Sequence, residues 1–95
     1  MGQNRVRRWM FIRNDAIRTI QKLCQDALAI DAAIRRLLVE ANRAEAMMVH
    51  ASEVADIKNR TEGKKREWSQ KIRAINEQNK KIYEVTKEFR ALKWW

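Results

Sequence analysis

From Val6 onward, apolar side chains recur in alternating steps of three and four: Val6, Trp9, Ala16, Ile20, Leu23, Ala27, Ile30, Ile34, Leu37, Ala41, Ala44, Met48, Ala51 and Ala55, interrupted only at Arg13. An α-helix turns once every 3.6 residues, so these positions gather into one continuous stripe. A stripe sustained for about seven heptads marks a coiled-coil or bundle helix. A β-strand cannot use the pattern, because its side chains change face at every residue. Proline is absent and glycine occurs only at positions 2 and 63, so little in the chain opposes long helices. The expected fold class is all-α.

Two places invite a break. Asn14-Asp15 offers an N-cap, which would leave residues 1–13 as a basic and aromatic arm or short helix. Around 59–63 the apolar pattern loses phase and the internal glycine, Gly63, appears. The sequence therefore predicts a helical hairpin over 14–95, with helices at about 15–58 and 64–93 joined by a turn at about 59–63. An unbroken rod through residue 63 is the alternative, since one glycine costs a helix only about 1 kcal/mol. In the second helix Trp68, Ile72, Ile75, Ile82, Val85, Phe89 and Leu92 line one side, with Asn79 as a polar member. Its bulky residues could fill the space left by Ala41, Ala44, Ala51 and Ala55.

A second helix of that length reaches back only to about residue 30. The rest of the seam would then need another subunit, as would the wider apolar face that includes Leu28, Ala33 and Leu38. The expected assembly is an antiparallel coiled-coil or four-helix-bundle homo-oligomer, with Trp9, Ile20, Leu23, Ile30, Ile34 and Leu37 between subunits.

Twenty-one Lys and Arg against twelve Asp and Glu give a net charge of +9. The excess is uneven: six basic and two acidic groups lie in 1–26, three and five in 27–57, and twelve and five in 58–95. Nucleic acid, anionic membrane surfaces and acidic proteins are the partners such a field attracts. Within the second helix Arg66, Arg73, Lys80 and Lys87 are spaced by seven and fall on one face, about 10 Å apart, a spacing suited to neutralising phosphates. The ordinary reading is a solvated face, and Glu62 before Arg66, Glu67 before Lys71 and Glu77 before Lys81 are in the favourable i, i+4 order.

Near the N-terminus, Arg5, Arg7, Arg8 and Arg13 surround the apolar run Trp9-Met10-Phe11-Ile12. Arginines on phosphates with Trp9 or Phe11 stacked on a base, insertion into an anionic membrane, and burial of both rings against another subunit are all open. Trp94 and Trp95 fit packing across an oligomer interface better than they fit stacking or anchoring.

Catalysis finds no candidate. The single histidine, His50, has no companion ligands for a metal and is expected on a solvated helix face. Cys24, the one cysteine, is expected as a small buried thiol beside the seam. No phosphate loop, nucleophile elbow or cofactor motif is present. With no pair for a disulfide, no apolar run long enough to span a bilayer, no secretory-type apolar stretch near the N-terminus and Val6 where myristoylation would want Ser or Thr, an intracellular setting is expected.

A basic helical hairpin that dimerises is similar, in fold and charge, to the small viral double-stranded-RNA binders that suppress RNA silencing. The resemblance implies hairpins lying along an A-form helix, touching its backbone. A helix-turn-helix or zinc signature for reading a major groove is missing. The expected function is nucleic-acid binding, RNA favoured, without strong sequence choice. A coiled-coil scaffold for protein partners is the alternative, and peripheral binding to an anionic membrane the third reading.

Overall fold

The computed structural model describes the backbone of residues 2–92 and the side chains of residues 4–91. Two helices account for almost all of it: α1, Gly2–Ala46, and α2, Ala51–Leu92. They pack antiparallel along their whole lengths in a hairpin whose Cα trace measures 71 × 15 × 13 Å. No helix among the described residues is long and apolar enough to cross a membrane.

The turn lies at residues 47–50, about twelve residues earlier than the sequence predicts, and residues 59–63 are helical. The all-α hairpin expected from the sequence is present with its turn displaced, and the rod through Gly63 is not formed. Neither glycine nor proline marks the true turn. The Val49 amide donates to the Ala44 carbonyl at 3.1 Å and the Met48 amide to the Glu45 carbonyl at 3.2 Å. Those two bonds close α1 in a Schellman motif. The motif puts Met48 at φ 56°, in the left-handed region that a side chain ordinarily disfavours. The His50 carbonyl then accepts from the Glu53 and Val54 amides at 3.0 and 3.3 Å to begin α2, with Glu53 in the first turn facing the positive end of the helix dipole. His50 is exposed, as expected, but sits in the turn.

The other expected break is also absent. Helix α1 runs through Asn14-Asp15 without interruption, so residues 2–13 are its first turns and not a separate arm. The Arg13 guanidinium bonds the Asn14 Oδ1 at 3.2 Å, using the side chain that would have capped a helix start.

An early turn gives two helices of similar length, 45 and 42 residues. Helix α2 therefore covers all of α1. Trp9, Ile20, Leu23, Ile30, Ile34 and Leu37, expected between subunits, lie half-buried on the seam between the two helices of one chain. Ala16, Ala27 and Ala41 are the fully buried residues of α1, their small side chains allowing close approach. Ion pairs across the seam, Lys58–Glu45 at 3.0 Å and Arg60–Glu40 at 3.7 Å, set Ala41 level with Ile57 and Thr61, both buried, and not with Trp68, Ile72 or Ile75. The Thr61 hydroxyl donates to the Ile57 carbonyl at 2.9 Å, which satisfies it within its own helix. Ala51 and Ala55 open α2 on an exposed face, and Asn79 is exposed beside the seam, where Gln78 is the half-buried polar residue.

Candidate polyanion-binding surface

Antiparallel folding brings the two basic ends of the sequence together. The half of the hairpin away from the turn, residues 4–26 and 71–91, carries twelve Lys and Arg against five Asp and Glu. The half next to the turn, residues 27–70, carries eight against seven. Charge is thus polarised along the long axis, with the excess at the open end.

Ion pairing sharpens the division. All salt bridges among the described residues fall between Asp26 and Lys71, and that pair, at 3.5 Å, marks the boundary. Beyond it Arg5, Arg7, Arg8, Arg18, Lys22, Arg73, Lys80, Lys81, Lys87 and Arg90 have no carboxylate within 4.0 Å among the described residues. Arg5 also stands in the first turn of α1, where no acidic residue balances the helix dipole, with Arg7 and Arg8 in the turn after it. Cations there oppose the positive end of the helix, so their accumulation costs stability.

Arg66, Arg73, Lys80 and Lys87 lie on the outward line of α2, all exposed and all free of ion pairs among the described residues. Arg66 sits in the turn half and extends this line toward the neutral end. None of the three expected i, i+4 pairs is made. Glu62 instead holds Lys65 at 3.3 Å, Glu67 holds Lys64 at 3.4 Å, and Lys71 crosses to Asp26. The stripe is therefore less neutralised than the sequence suggests.

Arg13 differs from the other N-terminal arginines. Its guanidinium lies 4.6 Å from the centre of the Trp9 ring and is half-buried. Trp9 also stacks on Phe89, and its indole N–H donates to the Thr86 hydroxyl at 3.3 Å. Both residues are committed to closing the open end, whereas Phe11 is 68% exposed near Arg7, Arg8 and Arg18. Tyr83, which no spacing in the sequence marks, is also 68% exposed, with Lys80 and Lys87 three and four residues away. It borders a groove of about 440 Å³ that Asn79, Thr86 and Arg90 also line.

Cys24 is exposed and not buried, because it falls one position outside the seam. No group of three metal-ligating side chains occurs among the described residues. Trp94 and Trp95 lie outside the described residues. Compared with protein-family models, with curated proteins and with solved structures, the chain has no match in any of the three.

Proposed function

We propose that this protein binds nucleic acid, with duplex or structured RNA favoured, by laying the open half of the hairpin along the phosphate backbone. The observation that carries the reading is the separation of paired from unpaired charge: carboxylates neutralise cations in the turn half, while the open half keeps a surplus of seven positive charges. Straight helices hold those cations in rows about 10 Å apart, and Arg66 to Lys87 spans about 31 Å. Rows of that kind neutralise successive phosphates and release their counterions, without reading base edges. Among the described residues there is no short recognition helix for a DNA major groove, which favours binding directed by shape.

Membrane binding through the N-terminal cluster is less well supported, because Trp9, its largest apolar group, is packed against Phe89. Titration with duplex RNA, duplex DNA and anionic vesicles at two salt concentrations tests the reading. Tightest binding to duplex RNA, weakening steeply with salt, is expected. Binding to vesicles alone, or to none of the three, contradicts it.

A further inference from the structure

One flank of the hairpin is uncharged over its open half. The Glu45–Lys58 pair marks one side of the seam and the Glu40–Arg60 pair the other, so heptad steps from each identify the residues that share its side. On the Glu45 side, α1 presents Met10, Asn14, Ile17, Gln21, Cys24 and Leu28. On the same side, α2 presents Ser69, Ile72, Asn76, Asn79, Tyr83 and Thr86. None of the twelve is Asp, Glu, Lys or Arg, in a chain that is 35% charged. Several are large and apolar yet open to solvent: Met10 is 42% exposed, Ile17 38% and Leu28 70%. The opposite side, by contrast, carries Arg5, Asp26, Glu67, Lys81 and Glu88.

We propose that this flank is the contact surface for a second copy of the chain, packed face to face with its α1 antiparallel to the first α1. Depletion of charge with retention of apolar and aromatic side chains is the composition of an interface centre. The strip is about 27 Å long and about 20 Å wide, two helices side by side, about 540 Å² or two-thirds of the roughly 800 Å² that a standard interface takes from each partner. Its ends identify the partner. Arg7 bounds the strip at the open end and Asp31 at the other, one heptad beyond Asn14 and Cys24 respectively. Turned end for end, α1 complements itself: Met10 meets Leu28 of the second copy, Asn14 meets Cys24, and Arg7 reaches the Asp31 carboxylate, which on its own helix holds Arg35 at 3.1 Å. On α2, Ile72 meets Tyr83, and Arg90 comes level with Lys65, whose charge Glu62 already holds at 3.3 Å. A parallel arrangement would instead lay α1 on the second copy's α2 and bring Arg7 against Arg90. The Arg66 to Lys87 line remains on the outer surface of the resulting four-helix assembly.

The test combines mass with cross-linking. Light scattering should give twice 11.4 kDa for the wild type. Ile17→Glu with Leu28→Glu should give a monomer of unchanged helix content, because both side chains are exposed in the single hairpin. Asn14→Cys, keeping Cys24, should oxidise to a covalent dimer. Within one helix these positions are about 15 Å apart and cannot bridge. The wild type, with Cys24 alone, and Asn14→Cys with Cys24→Ser should not cross-link, since like positions are equally far apart across the two-fold axis. A monomeric wild type at millimolar concentration overturns the proposal. So does a dimer indifferent to the two glutamates, or one that cross-links as readily through Cys24 alone.

Discussion

Trp9 stacks on Phe89 with ring centroids 4.7 Å apart and planes inclined by 17°, joining the first turns of α1 to the last turns of α2. Seventy-seven residues separate Trp9 from Thr86, the other partner of its ring. This cluster joins the two basic segments side by side against their mutual repulsion. Trp9→Ala should cost about 2 kcal/mol, from apolar surface returned to water and the broken aromatic pair together. Denaturant unfolding reads the cost. Hydrogen exchange should show faster exchange in residues 80–91 while the amides around Ala41 and Ile57 keep their protection.

Met48 and Gly63 each occupy a position suited to the other. Met48 is 93% exposed at positive φ, so Met48→Gly relieves a left-handed strain and gives up almost no burial. Gly63 is inside α2 with nothing within 4 Å of an added Cβ, so Gly63→Ala gains helix propensity without a clash. Each substitution should stabilise the hairpin by about 1 kcal/mol, and at such separation the two gains should add. Destabilisation by Gly63→Ala would place the turn at residue 63 after all.

The seam through Ala44 is legible in the sequence because apolar spacing alone defines it, and the helical class follows from that spacing. The turn is not. Glycine and asparagine advertise left-handed caps, whereas here the packing of two long helices forces methionine into the role at a cost of about 1–2 kcal/mol. One misplaced turn has wider effects: a reversal at 63 leaves α1 half uncovered, which makes Trp9, Ile20 and Leu23 look intermolecular. Of the candidate surface, Arg73, Lys80 and Lys87 can be found from heptad spacing. That Arg5, Arg7 and Arg8 share one end of the hairpin with Lys87 and Arg90 cannot be found that way, because it depends on where the chain reverses.

Basic residues in the first turns of α1 work against the helix dipole. Arg5→Gln should therefore raise unfolding free energy by a few tenths to about 1 kcal/mol, and Arg5→Gln with Arg8→Gln should weaken polyanion binding without loss of that gain. Thermal denaturation and binding titration on the same samples would show the opposed effects. A drop in stability would mean that these arginines hold the fold.

Exposed ion pairs in the turn half should matter little. Glu45 and Lys58 are more than half exposed, and Glu45→Gln should change stability by less than about 1 kcal/mol. Nucleic-acid affinity should change little, since the altered charge lies far from the open end. A tenfold change in affinity would show that the turn half also touches the ligand.

The most direct measurement is the salt dependence of duplex-RNA binding by wild type and by Arg73→Gln, Lys80→Gln, Lys87→Gln combined. None of the three has an ion-pair partner among the described residues, so helix content and molecular mass should be unchanged. Affinity should fall at least tenfold, and the slope of log affinity against log salt should shrink by about 0.9 for each phosphate no longer neutralised. Affinity equal to wild type with an unchanged slope would contradict the account, leaving the stripe a solvated helix face.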